Sequence, residues 1–330
     1  MFKHLPVILV LGAACCCTSL AEAQYLRKNA IVEAVNKTKD GIVTLKVTRD
    51  SGYGKREIVG TGVIIDERGF MITNYHVIND ATRIMATLAD KTRVEATIHA
   101  SLPKHDLAIL RLPISKKVKA LPLASGSDLM VGETVIAVGN PYGFTNTVST
   151  GIVSALEREI PGPTGDSLTG LIQHSASINP GNSGGPLLNV NGELIGINVA
   201  LREGAQNICF AINAETVKDV LARQLSASRV SRVVHGLVCD EEVASEGADR
   251  QKVVLKKVAS SAETVQSGLK QGDIILQVGN LKTQNRFDVE RAFWGYKAGD
   301  QVTAQVIRAG KSEIISIKLR SADETRMASH

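Results

Sequence analysis

The chain has 330 residues, 44% hydrophobic and 22% charged, which excludes a disordered or fibrous protein and leaves room for two or three cores. Aromatics are scarce at 4% while Gly, Val and Ile abound, so cores of β-branched residues between tight turns are expected. A formal charge of +5 from 38 basic and 33 acidic side chains forms no basic stripe, which excludes nucleic acid as a partner.

Lys3, the apolar run from Leu5 to Leu20 and Ala21-Glu22-Ala23 read as a signal peptide over residues 1–23, cut before Gln24, and place the mature chain in the periplasm or outside the cell. The competing reading is a retained anchor, for which a run of about 16 residues is short; a membrane is a partner only if the leader is kept. Cys15 to Cys17 fall within this segment. Cys209 and Cys239 remain, each read as a small buried hydrophobe, with their pairing left open.

From Gly41 to about Asn213 the runs GIVTLKV, VGTGVIID, RIMATL, DLAILRL, TVIAVGN, LIGINVA and ICFAI predict short strands in a sandwich or barrel. Pro122 to Gly132 divides them into two lobes. A closing helix is predicted over 214–225, where Val217, Val220 and Leu221 share one face. The stretch SKKVK, residues 115–119, reads as a solvated loop.

Beyond Ser231 a smaller unit follows, about residues 231–320. It comprises the strand VVLKKV, a short helix SSAETVQSGL, the strand IILQVGN, a second helix DVERAFWGY, and the strands QVTAQVIR and EIISIKL. It is small but able to fold alone. The tail 321–330 is polar and expected to be loose.

Ser183 lies in SINPGNSGGPL. A serine hydroxyl is a useful nucleophile only if a base takes its proton and a third group orients that base. His76, in ITNYHVI, follows the strand FMITN and can present its ring from the strand's end. Asp106 opens DLAIL, where a buried acid needs a hydrogen-bonded or charged partner. His99, His105, His174 and His235 sit in runs with no evident catalytic arrangement.

The motifs TNYHVI, HDLAIL and PGNSGGPL, in that order, resemble the HtrA/Deg family of serine proteases, within the chymotrypsin-like class. The resemblance covers about residues 30 to 320. It implies a mainly β chain of two six-stranded chymotrypsin-like β-barrels (a protease domain over 24–228) followed by a small α+β PDZ domain over 231–320. The triad His76, Asp106 and Ser183 would assemble across the cleft between the barrels. Gly181, Asn182 and Ser183 would shape an oxyanion hole from backbone N–H groups.

Asn182 stands where secreted digestive relatives carry an aspartate that pairs with a new N-terminus, so activation by N-terminal cleavage is not expected. No acid precedes the nucleophile, which argues against cleavage after Lys or Arg. Ile178 and the run Ile197, Asn198, Val199 and Ala200 would line a small apolar pocket, although plain core packing fits Ile178 equally well. Two departures from the family pattern, Gln173-His174-Ser175-Ala176 and Cys209, concern this pocket.

SGLKQGDIILQVGN and VHGLV resemble a PDZ domain, whose loop offers backbone N–H groups to a peptide's terminal carboxylate. His235, Gly236, Leu237 and Val238 are the matching positions, and His235 replaces the usual aliphatic residue. One such module and a short loop at TRDSGYGKREIVG imply a homo-trimer rather than a cage. The implied function is an exported, ATP-independent serine endopeptidase, without metal or cofactor. Its partners would be unfolded or misfolded protein substrates and peptide C-termini. The rivals are a PDZ-based binding protein or chaperone with a silent protease site, and an esterase with a G-x-S-x-G elbow. The esterase would need a strand-turn-helix setting and a later histidine nearby, whereas strands follow the serine here and the later histidines, His235 and His330, fall in another unit and the tail.

Overall fold

The computed structural model describes residues 27–52, 54–124, 128–140, 147–163, 165–201, 207–243, 251–259 and 268–323. The leader expected over 1–23, most of the short helix expected over 260–269 and the tail after residue 323 lie outside the described residues. Helix Ala30–Thr38 enters first, its Val32 N–H capped by the Asn29 side chain at 3.0 Å.

The first lobe is an antiparallel sheet of the strands Ile42–Ser51, Gly54–Asp66, Phe70–Thr73, Ala81–Thr87, Arg93–Glu95, Thr97–Leu102 and Leu107–Arg111. Its two outermost strands, Arg93–Glu95 and Thr97–Leu102, are successive halves of one strand bent at Ala96, whose N–H still donates to Ile84 O at 2.9 Å. The sheet therefore curls back on itself, six strands in effect, around Val43, Leu45, Val47, Ile64, Met71 and Leu110. Alternating β-branched and polar residues suit this, since successive strand side chains face opposite sides.

In TRDSGYGKREIVG, expected as a loop, residues 48–51 and 54–60 instead belong to a hairpin in register from Ile42↔Val63 to Ser51↔Gly54. Residues 50–52 and 54–57 are exposed and mostly charged or small, so this end of the hairpin carries no hydrophobic alternation to announce a strand.

The second lobe is a closed barrel of Thr134–Gly139, Thr147–Pro161, Ser167–His174, Pro186–Leu188, Leu194–Leu201 and Cys209–Asn213. Helix Ala214–Gln224 follows, with the Asn213 side chain accepting the Thr216 N–H at 2.8 Å. It buries Val217, Val220 and Leu221 as expected, and Lys218 besides.

The last unit is a sheet of Leu237–Val243, Gln251–Val258, Ile274–Val278, Gln301–Arg308 and Lys311–Lys318, with the short strand Leu281–Lys282 paired beside it. Its helix is Arg286–Ala292, starting earlier than expected because Asn285 caps the Asp288 N–H at 2.9 Å. Arg320–Ser321, where the tail was expected to begin, pairs with Val233–Val234.

This unit is docked firmly on the first lobe. The Trp294 ring packs edge-on against Phe70 at 5.2 Å and lies 4.2 Å beneath the Arg68 guanidinium. Its indole N–H donates to Leu225 O at 3.0 Å. Lys218, fully buried, reaches Glu241 of the outer strand and Glu215 of its own helix. Among the described residues no helix is long and apolar enough to cross a membrane.

Candidate active site

Strand Phe70–Thr73 ends in a single helical turn, Tyr75–Ile78, that presents His76. Asp106 meets it from across the lobe. Its carbonyl accepts the Tyr75 N–H at 3.1 Å and the Asn74 Nδ2–H at 3.0 Å. Its carboxylate accepts the His76 backbone N–H at 2.9 Å and faces His76 Nδ1 at 2.7 Å. Asp106 is fully buried and adopts φ +48, a left-handed conformation that Asp tolerates better than most residues. A carboxylate accepts only, so Nδ1 carries the ring proton and Nε2 keeps its lone pair. Behind the turn, Arg49 donates to His76 O and to Asn79 Oδ1, each at 2.6 Å.

Ser183 belongs to the second lobe and is held by the first. The Thr61 N–H donates to Ser183 O at 3.0 Å, and its hydroxyl donates to Gly181 O at 2.7 Å. Thr73 Oγ1 donates to Thr61 O at 2.7 Å. Thr61 was not singled out from sequence; a buried hydroxyl between glycines in VGTGVIID was the available signal. At Gly184, φ is +81 and an added Cβ would lie 2.2 Å from both Thr61 O and Thr73 Oγ1, so only glycine fits.

Gly181 adopts φ +105, and neither its N–H nor that of Ser183 has an acceptor among the described residues. The Asn182 N–H does, donating to Asn179 O at 3.0 Å, so Asn182 contributes to the loop as a turn former and not as a third open donor. Its side chain is buried against Gly139, with Oδ1 lacking a hydrogen-bond partner among the described residues. Ser183 Oγ donates to Val199 O at 2.6 Å. No hydrogen bond joins it to His76 Nε2 among the described residues.

Ile178, Ile197, Asn198 and Val199 are all buried. Ile178 packs with Ala176, Val153 and Cys209 inside the second barrel, and the free thiol of Cys209 is buried there too. Asn198 braces the serine loop, exchanging backbone bonds of 2.9 Å with Gly184 and Gly185 and donating Nδ2–H to Pro186 O at 3.0 Å. Ala200 lies in strand Leu194–Leu201; its side chain is outside the described set. His174 lies close to Asn198 and the Ala176 backbone, yet neither ring nitrogen makes a hydrogen bond of proper geometry. Burial pushes its pKa down to about 4, so the ring is neutral.

In the last unit, Gly236 adopts φ +70 between the buried His235 and Leu237, and Val238 is half exposed. Among the described residues no group of three His, Cys, Asp or Glu could hold a metal ion.

Two family descriptions match the chain: a trypsin-like peptidase domain over residues 60–197 and a PDZ domain over 195–319. Fold and site thus define a chymotrypsin-like serine protease unit followed by one PDZ module. Among curated proteins, the chloroplastic Protease Do-like 1 of Arabidopsis thaliana is 35% identical over 276 residues, covering 79% of this chain and 63% of that protein. The periplasmic serine endoprotease DegP of Escherichia coli (strain K12) is 34% identical over 282 residues, covering 82% and 59%. Among solved structures, the HtrA-type protease AlgW with tripeptide is 27% identical with a TM-score of 0.56, covering 89% of this chain and 97% of that one. The serine endoprotease of Yersinia pestis is 29% identical with a TM-score of 0.52, covering 90% and 99%. The chain belongs to the HtrA/Deg family of serine proteases. It spans about three fifths of the length of the two curated relatives.

Proposed function

We propose that the chain is an exported, ATP-independent serine endopeptidase that degrades misfolded or damaged envelope proteins, as a homo-trimer, with its PDZ module (231–320) binding peptide C-termini and residues 24–228 carrying out the cleavage. The observation that carries this reading is the pairing of the half-buried His76 with the buried Asp106, 2.7 Å apart, beside a serine loop with two unspent N–H groups. The relatives' names support the periplasmic setting.

In the reaction, Ser183 Oγ leaves Val199 O by rotation about χ1 and meets His76 Nε2, which takes its proton as Oγ attacks the peptide carbonyl. Asp106 holds the ring in the tautomer that can accept and stabilises the imidazolium that forms. The Gly181 and Ser183 N–H groups receive the developing oxyanion; losing one such donor typically costs about a hundredfold or more. His76 then protonates the leaving amine, and water releases the acyl group from Ser183. With Asn182 in place of an acid there is no ion pair for a new N-terminus. Control falls to the serine rotamer and the loops around it.

Degradation of unfolded casein by the wild-type chain and by Ser183→Ala tests the proposal. Wild-type cleavage lost in the variant supports it. Equal cleavage by both, or an activity that needs a newly cut N-terminus, overturns the corresponding part. A small apolar pocket would favour cleavage after Val, Ala or similar aliphatic residues, which mass spectrometry of the products tests.

A further inference from the structure

The loop His235-Gly236-Leu237-Val238 carries an imidazole bound at both ring nitrogens. The Gly236 carbonyl accepts the Ala259 N–H at 2.8 Å, so the same peptide unit turns the Leu237 N–H the opposite way. Among the described residues that side is the unpaired edge of the outermost strand, Leu237–Val243, where an added peptide strand would lie. This N–H donates to His235 Nδ1 at 3.0 Å. An accepting Nδ1 carries no proton, so the ring proton sits on Nε2, 3.2 Å from the Glu290 carboxylate, and is donated there. The ring lies flat on Phe293, centroids 4.5 Å apart and planes within 8°. Glu290 also accepts the Ala227 N–H at 2.8 Å.

We propose that His235 is a proton gate on this loop: the neutral ring caps the Leu237 N–H and shuts the carboxylate site, and the protonated ring opens it to the terminal carboxylate of a peptide. The inference rests on the PDZ reading above. A proton on Nδ1 turns an acceptor into a donor, and two N–H groups cannot face each other at 3.0 Å without an acceptor between them. A carboxylate brings two oxygens, one for each.

The surroundings are set for this exchange. Burial favours a neutral Glu290, but the opposing charge and hydrogen bond of His235 and the Ala227 N–H outweigh it and hold the carboxyl below its usual range. It can therefore balance an imidazolium, which also stacks favourably on Phe293. On the outer strand, burial and then Glu290 push the Cys239 thiol up to about 12, so it stays neutral. On the helix Arg286–Ala292, Asp219 and Glu241 outweigh burial and raise Arg286 further. Arg229, on the short helix Ala227–Val230 that supplies the Ala227 N–H, is exposed. His235 is thus the group here whose gain of a proton would break a bond of the loop itself, the one from the Leu237 N–H.

The test uses the full chain carrying Ser183→Ala and a fluorescein-labelled decapeptide ending in Leu-Ala-Val, with either a free carboxylate or a C-terminal amide, followed by anisotropy. The free carboxylate, with a pKa of about 3.5, stays ionised throughout. The carboxylate peptide is expected to bind about tenfold or more tightly at pH 5 than at pH 8, the worth of one charge-assisted hydrogen bond, with no such change for the amide. A second substitution, His235→Leu, is expected to bind the carboxylate peptide equally well at both. Equal binding by the unsubstituted loop at both pH values, or a pH dependence that survives His235→Leu, overturns the gate. If His235→Leu does not prefer carboxylate over amide at any pH, the PDZ carboxylate reading falls, and the gate with it. The ring can also be read without a peptide: nitrogen NMR of labelled histidine should show the Nε2–H tautomer at pH 8, and the Nδ1–H tautomer would overturn the proposal.

Discussion

The change Asp106→Asn isolates the electrostatics of the His76–Asp106 pair. Asn tolerates the left-handed φ of +48 at this position as well as Asp does, and it leaves the backbone carbonyl that holds Tyr75 and Asn74 in place, so the turn should survive. What changes is the pairing at 2.9 and 2.7 Å with the His76 N–H and Nδ1. An amide has one accepting oxygen for two donors, and its NH2 must face the other. If it faces Nδ1, the ring holds its proton on Nε2 and can no longer accept from Ser183. One charge-assisted bond, about 1.5–3 kcal/mol, is lost, together with the stabilisation of the imidazolium. The sum approaches the roughly 10⁴-fold fall in kcat known for this change in a triad, about 5 kcal/mol. The assay is steady-state hydrolysis of labelled casein beside a thermal melt. A loss under about tenfold with the melt unchanged would mean that Asp106 does not orient the base.

Three further outcomes are expected. Gly184→Ala should abolish activity and lower the melting temperature, because its Cβ would lie 2.2 Å from Thr61 O and Thr73 Oγ1; a fully active, equally stable variant would contradict the packing between lobes. For His174, the folded pKa of about 4 lies below the unfolded value of about 6.5. The unfolded chain takes up the proton first, and stability falls as pH drops from about 6.5 to about 4, by roughly 3 kcal/mol at most; urea midpoints of His174→Leu should lose that part of the slope. Trp294 is the single tryptophan, so its emission reports the docked PDZ unit. Phe70→Ala should shift that emission to the red and cost about 3–5 kcal/mol, whereas unchanged emission would mean the unit is not docked in solution.

Much of the site was legible along the chain because its parts are local. A histidine after a strand, an acid before four apolar residues and a serine among glycines each announce a chemical need that neighbours in sequence cannot meet. The closing helix was legible too, since Val217, Val220 and Leu221 repeat at helical spacing. Lys218 within that helix was not singled out from sequence; Glu241, on a strand of the PDZ unit, joins Glu215 of its own helix in making its burial tolerable. The far end of the hairpin was missed because residues 50–52 and 54–57 are exposed and show no apolar alternation, yet Arg49 beside them braces the His76 turn.

By itself the sequence marked the β-rich lobes and, through its family resemblance, the candidate groups His76, Asp106 and Ser183, because strand periodicity and short motifs are properties of short stretches. Only the tertiary structure decided how those groups meet. Thr61 bonds Gly181 across 120 positions, Ser183 donates to Val199 rather than to His76, and His235 turns back on its own loop. A hydrogen bond depends on distance and direction within a few tenths of an ångström, and for partners far apart in the chain those are set by how whole sheets pack.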